Sequence, residues 1–356
     1  MERADKDLAF MLQYENVAWY ERGKVRILDR RIYPTRVVFV ECATHGEVAQ
    51  AIADMVTQSA GPYTAAAMGM ALAAYECRGK AATEQRVFLE MAARVISNAR
   101  PTTVDRMGLI VEGCLRAADQ ALAEGKDLSQ AIVEHAIRSN NARYEKIGVM
   151  AEFLVDTFPK DGRILTQCFG ETIVGQMLKV ARNRGSALKI FCAETRPYFQ
   201  GARLTASVAL DMGFDVTVIT DNMPAFAIQH EKIDVFTSAA DVICQDGFIV
   251  NKVGTFQLAI VAKYMGIPYF VSGAPDRGHP TVDTVKIEMR DPEFVLQAMG
   301  VRTAMEGVKG YYPSFDITPP QLVSGVVTDR GIMSPYDLRR YYSEGSTGEY
   351  GAGVCA

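Results

Sequence analysis

The pattern of apolar and polar positions changes character roughly halfway along the chain. Between Val25 and Cys42 the text VRILDRRIYPTRVVFVEC sets short β-branched runs around Pro34, which predicts a small antiparallel sheet. From Gly46 to about Phe158, apolar residues recur at i, i+3, i+4 and i+7. This holds in EVAQAIADMVTQ, TAAAMGMALAAYE, TEQRVFLEMAARVIS, VDRMGLIVEGCLRAADQALAEG and LSQAIVEHAIRSNNARYEKIGVMAEFLV. Gly61-Pro62, Arg100-Pro101, Gly125 and Pro159 punctuate those runs and divide them into separate helices. Beyond Pro159 the rhythm becomes strand and helix in turn. RILTQC, ALKIFCAE, FDVTVIT, IDVFTSA with DVICQ, and PYFVSG are the strands, and stretches such as ETIVGQMLKVARNRG and TFQLAIVAKYMG lie between them. Continuous apolar strands alternating with helices predict a parallel sheet covered on both faces.

The expected fold is therefore α/β. Residues 1–158 form a mainly helical domain carrying the small antiparallel sheet, and residues 159–342 form a Rossmann-like domain. Residues 343–356, SEGSTGEYGAGVCA, form a Gly-rich tail expected to be flexible.

Composition narrows the function classes. Of 356 residues 49% are apolar and 22% charged, a soluble globular balance whose core needs neither disulfides nor metals. A net charge of −4 provides no basic stripe for a nucleic acid, although a local pocket for one phosphate remains compatible with it. The longest apolar stretch, Phe256 to Val271, is broken by Lys263 and Pro268, so no membrane span is expected. The first residues are too charged for a secretory leader. Seven cysteines without a C-x-x-C pair fit a reducing, cytoplasmic compartment. Four histidines, none at ligand spacing to another, give no reason to expect a metal.

Candidate chemistry collects where the predicted strands end. Cys168 follows ILTQ, Glu194 and Arg196 follow IFCA, Asp221-Asn222 follow VIT, Asp241 follows FTSAA, and Ser272-Gly273 follow YFV. In a parallel sheet these positions converge on the carboxyl edge, where ligands bind. Gly170 and Thr172 put Cys168 beside a helix N-terminus, which favours a thiolate; an inert buried thiol is the alternative. Asp241 is either an acid–base group or a cap. A phosphate site would draw on backbone N–H groups and cations rather than a nucleotide fingerprint, which is missing. Arg100 between two helices, and Gln200, Arg203 and Lys252 near helix starts, could supply it; for each charged residue a solvated surface position is the alternative.

These segments resemble a family. SNARPTT, ILTQC, ETRPYFQGARLTA, VTVITDNM, AADVICQDGFIVNKVGT and FDITPPQLVSGVVTDRG are similar, in this order, to the motifs of methylthioribose-1-phosphate isomerases. ILDRRIYPTRVVFVEC and GPYTAAAMGMALAAYE fit as well, so the likeness runs from about Val25 to Pro335. Ribose-1,5-bisphosphate isomerases and regulatory subunits of the translation-initiation exchange factor share the NKVGT-like segment. The resemblance implies a cofactor-free homodimer that converts a 5-modified ribose 1-phosphate to the ribulose 1-phosphate. It implies Cys168 and Asp241 as the catalytic pair, and Arg100, Gln200, Lys252, Asn251, Gly61 and Asp221 around the sugar phosphate. Three stretches depart from the isomerase motifs: Ser59-Ala60-Gly61-Pro62 replaces an R-G-A-P, Cys168-Phe169-Gly170-Glu171 a C-N-A-G, and Asp241-Val242-Ile243 an Asp-Arg-Ile. 5-Deoxyribose 1-phosphate is an equal candidate substrate, since the two sugars differ only in the group at C5. A ribose-1,5-bisphosphate isomerase and a non-catalytic regulatory subunit are the alternatives, and retention of both Cys168 and Asp241 argues against the latter. Opening the sugar ring asks Asp241 to hold a proton, which burial beside Phe169, Val242 and Ile243 would favour. A cleft between the two domains is expected to keep water out.

Overall fold

A computed structural model describes residues 3–100 and 104–343. The flexible tail expected from Ser343 onward lies, apart from that residue, outside the described residues. Two compact units emerge, Met1–Glu145 and Lys146–Ala356. Their division falls inside a long helix, where the sequence pattern suggested Pro159.

In the first unit a short helix α1 (Tyr14–Val17) leads into β1 (Ala18–Glu21), β2 (Lys24–Leu28) and β3 (Phe39–Cys42), an antiparallel sheet in that order. The expected sheet over 25–42 is there, and Ala18–Glu21 adds a strand through a tight turn at Gly23, whose φ of +81° suits glycine. Five helices follow: α2 (His45–Ala53), α3 (Gly61–Glu76), α4 (Ala82–Ser97), α5 (Val104–Glu124) and α6 (Leu128–Val155). Pro62 starts α3 without losing a needed N–H. Every residue of α3 from Gly61 to Ala74 is buried, as its all-round apolar text requires. Small residues let neighbours approach it closely; a Cβ on Gly69 would lie 2.9 Å from Val48 Cγ1.

The second unit is built on β4 (Arg163–Thr166), α7 (Glu171–Asn183), β5 (Lys189–Ala193), α8 (Ala206–Asp211), β6 (Asp215–Ile219), α9 (Pro224–His230) and β7 (Val235–Ala239). Next come β8 (Val242–Ile243), β9 (Ile249–Lys252), α10 (Thr255–Met265) and β10 (Tyr269–Ser272). The chain ends through β11 (Gln297–Ala298), β12 (Val301–Arg302), β13 (Phe315–Thr318), β14 (Gly325–Thr328), β15 (Gly331–Met333) and α11 (Arg340–Ser343). The main sheet has the order β15-β14-β10-β7-β4-β5-β6, parallel except for β15. Ile164, Leu165, Phe236, Tyr269 and Val271 are almost fully buried, the continuous apolar signature of a two-faced sheet. On one side Leu258, Ala259 and Ala262 of α10 join the strands' core, and the Phe236 and Tyr269 rings stack 4.2 Å apart.

One strand departs from expectation. DVICQ belongs to a separate antiparallel sheet, β13-β9-β8, because β8 pairs with β9 rather than with β7. The topology fixes where a ligand belongs. The chain enters at β4, runs outward through β5 and β6, then returns to β7 and continues through β10 and β14 on the other side. The order reverses between β4 and β7, and crevices at such switch points bind ligands beyond the carboxyl ends of the strands.

Candidate active site

Cys168 stands two residues past the end of β4, with a φ of +60° that bends the chain sharply before α7. Non-glycine residues rarely adopt that conformation, and here the surroundings enforce it. The Cys168 N–H donates to Thr195 Oγ1 at 3.0 Å, while the Thr205 hydroxyl donates to the Cys168 carbonyl. Thr195, itself buried with φ +64°, also donates its hydroxyl to Gln167 Oε1 at 3.2 Å. The Gln167 amide in turn donates to the Val253 carbonyl at 3.3 Å. The backbone at Cys168 is thus held by the loops after β4, β5 and β9, and the residue is only half-buried.

Asp241 occupies the matching place after β7, the strand beside β4, where its N–H donates to the Val250 carbonyl at 2.9 Å. Gly170 brings the two loops together. A Cβ there would lie 2.7 Å from Ala239 Cβ, so only glycine lets the start of α7 close on the end of β7. Cys168 and Asp241 each sit two residues from that contact, and both the Asp241 carboxylate and Lys252 act electrostatically on the thiol. The balance runs against the thiolate expected from the helix start. Burial pushes Cys168 up to about 11, and Asp241 adds to the rise, while Lys252, the Phe169 N–H and Arg290 pull the other way. Desolvation wins, so the resting sulfur is a thiol.

The other expected site residues divide into three groups. Lys252, buried on β9, places its Nζ 4.7 Å from the Phe315 ring centre and 6.0 Å from that of Tyr312. Gln200 is buried at the head of a π-helical turn, Gly201–Thr205, and its Oε1 has no hydrogen-bond partner among the described residues. Thr172 Oγ1 and Ser272 Oγ, at the start of α7 and the end of β10, are buried in the same condition. Each such group costs about 1–3 kcal/mol until a donor or acceptor meets it, which a polyhydroxylated ligand would do. Asp221, Asn251 and Arg203 instead brace loops. Both Asp221 oxygens accept main-chain N–H groups, from Thr195 at 2.8 Å and Arg196 at 2.7 Å. Asn251 donates to Thr255 Oγ1 at 3.1 Å, and the Arg203 guanidinium donates to the Tyr198 carbonyl. Gly61 and Arg100 belong to the first unit. A Cβ on Gly61 would fall 1.9 Å from Thr57 Oγ1 and 2.9 Å from Arg30 Nη1, so packing alone demands glycine there.

Sequence reasoning missed Thr195, Arg290 and Tyr312. Thr195 lies in ETRP, flagged only for its charged neighbours. Arg290 and Tyr312 come from the irregular stretch between β10 and β13, where no periodicity marks them. Arg290 is nonetheless nearly buried, paired with Glu288, and acts on both the Tyr312 hydroxyl and Cys168. Its charge persists because Glu288 and the neighbouring rings offset the cost of burying it.

Known proteins supply the context. A family model described as "Initiation factor 2 subunit family" matches residues 57–335. A curated methylthioribose-1-phosphate isomerase from Chloroflexus aurantiacus is 34% identical over 334 residues, covering 89% of this chain and 94% of the relative. One of the same name from Desulforudis audaxviator is 31% identical over 333 residues, with the same coverage of 89% and 94%. Among solved structures, 5-methylthioribose 1-phosphate isomerase from Pyrococcus horikoshii superposes with a TM-score of 0.81 at 29% identity, over 94% of this chain and 98% of that one. The delta subunit of translation initiation factor eIF-2B from A. fulgidus gives 0.78 at 28% identity, over 90% and 96%.

Proposed function

The chain belongs to the initiation factor 2 subunit family, and from that premise we propose that it is an aldose–ketose isomerase acting on a 5-modified ribose 1-phosphate. The substrate is 5-methylthioribose 1-phosphate or 5-deoxyribose 1-phosphate, and the product is the matching ribulose 1-phosphate. The observation that carries this reading is the pairing of Cys168 with Asp241 at the ends of neighbouring strands, on either side of the switch point. A purely regulatory subunit has no use for that pair. Similarity to proteins named as isomerases over most of the chain supports the same class.

The chemistry follows from the substrate. Phosphate on C1 prevents spontaneous ring opening, so the ring oxygen must be protonated as its bond to C1 breaks. Asp241 donates that proton. Cys168 takes the proton from C2 to give an enol and returns it to C1, while the C2 hydroxyl gives its proton back to Asp241 as the ketone forms. Atoms and charges balance across the cycle. The alternative route moves the C2 hydrogen directly to C1 as hydride, with Cys168 arranging the charge. In the first route the pair starts with its proton on the carboxyl group, whereas burial places one on sulfur in the resting state. Apparent pKa values from a rate profile then belong to the pair, not to either residue. Gln200 and Lys252 would hold the sugar and its phosphate, with Arg100, Gly61 and Asn251 as further contacts implied by the resemblance. Asp221 would serve the sugar through the loop it braces. The proposal extends to a cytoplasmic homodimer that needs no metal or cofactor.

Rates on 5-methylthioribose 1-phosphate, 5-deoxyribose 1-phosphate and ribose 1,5-bisphosphate, measured side by side without added metal, test the substrate class. Turnover of one or both of the first two is expected. Preference for the bisphosphate, or inertness toward all three, would overturn the assignment.

A further inference from the structure

Beyond the expected pair, the second unit holds an unassigned cation beside Lys252. Residues 288–290 run along 312–314 as an extra rung. Ser314 N donates to the Glu288 carbonyl at 2.9 Å, Arg290 N donates to the Tyr312 carbonyl at 3.0 Å, and Met289 bridges Pro313. The same chain continues into β13, where Phe315 faces Lys252 across the ladder. Backbone pairing therefore brings Lys252 and Arg290 to the same aromatic ring. The Phe315 ring centre lies 4.7 Å from Lys252 Nζ and 5.8 Å from Arg290 Cζ, and Tyr198 stands 5.7 Å from the same guanidinium.

The guanidinium is fixed before any ligand arrives. Glu288 receives Nε at 3.0 Å and Nη2 at 3.1 Å as a bidentate fork, and the Arg290 side chain is only 11% exposed. Nη1 is not part of that fork. A planar guanidinium so held is pre-organised for an anion, since little side-chain freedom remains to be lost. Lys252 and Arg290 share one ring and both act on the Cys168 thiol, so the spot is cationic even though Glu288 offsets part of the Arg290 charge. A doubly charged phosphate is the group that such a pair matches.

We propose that Arg290 is the second cation of an anion subsite formed with Lys252, holding the phosphate of the sugar phosphate beside Cys168. The identity of the ligand rests on the isomerase reading; the subsite itself does not. Arg290 is on this view a substrate-positioning residue, and its loss acts on binding more than on the chemical step.

Inorganic phosphate is the probe. Its dissociation constant would be measured by phosphorus-31 NMR on the full chain, as wild type, R290Q, R290K and K252M. R290Q and K252M are each expected to weaken phosphate binding by about 10-fold or more, since a hydrogen bond to a charged group is worth about 1.5–3 kcal/mol. R290K, which keeps the charge but loses the fork to Glu288, should recover part of the loss, and KM for the turned-over sugar should rise in R290Q more than kcat falls. Thermal melting of each variant separates lost binding from lost folding; where R290Q fails to fold, R290K against K252M carries the comparison. Phosphate binding unchanged in R290Q, or equally weak in R290K and R290Q, would overturn the role of Arg290. Undetectable phosphate binding by wild type would overturn the subsite, while turnover of the sugars would still uphold the isomerase reading.

Discussion

At the scale of single residues, the opposition at Cys168 between burial and charge decides its chemistry. A half-buried sulfur at a helix start with two cations nearby would ordinarily lean toward thiolate. Here the loss of hydration outweighs the cations and the Phe169 N–H, and the thiol rises to about 11. The thiolate fraction at neutral pH is accordingly small. Alkylation of Cys168 by iodoacetamide should therefore accelerate about tenfold per pH unit between pH 7 and 10, the rule for a thiol well below its pKa. Mass spectrometry of the Cys168 peptide after timed exposure would measure it. A rate already level by pH 8 would contradict the burial argument. Cys168 and Asp241 were legible as strand-end residues because both follow apolar strand runs, but an inert thiol and a cap fitted the same text. Arg290 and Tyr312 were poorly legible, because their approach to Lys252 depends on a rung between 288–290 and 312–314 that has no periodic signature.

At the scale of elements, β9 and β13 do more than extend a sheet. Asp316 on β13 reaches the start of α10, accepting Gly254 N at 2.6 Å and Phe256 N at 3.1 Å, and so caps a helix from a neighbouring strand. Burial nevertheless pushes its carboxyl up to about 6 from 3.8, against the pull of those N–H groups and Lys252. The native state then binds more protons than the unfolded chain between those two values. Asp316's contribution to stability is fully present below pH 3.8 and is lost as pH rises through about 6. The unfolding free energy of wild type minus that of D316N should fall over this window and level off above it, as read from urea midpoints at a series of pH values. A difference independent of pH would show that the cap ionises normally. The separate sheet that holds these strands also explains a misread element. DVICQ has the text of a strand, yet its hydrogen bonds go to β9, and apolar text alone does not choose a partner.

At the scale of the whole molecule, most of the architecture was legible from the alternation of strands and helices. Parallel pairing follows once helices separate the strands, and the strand-end residues then converge without further information. The division between units was less legible, since α6 runs unbroken past Glu145 and Gly148 lies inside it without ending it. Roles within the site were mixed. Asp221, expected near the sugar phosphate, sets its carboxylate on the turn that carries Thr195, and hence on the backbone of Cys168. Ser59, Phe169 and Val242 stand where the isomerase motifs carry other residues, whereas Cys168 and Asp241 keep their motif positions.

Single-turnover kinetics with the preferred sugar 1-phosphate, on wild type, C168S and D241N, test that pair most directly. Ketose formation in wild type and a loss of about 10²–10⁴-fold in each variant, with unchanged melting, is the expected result for an acid and a base acting together. A ketose yield from either variant at a rate close to wild type would contradict the account.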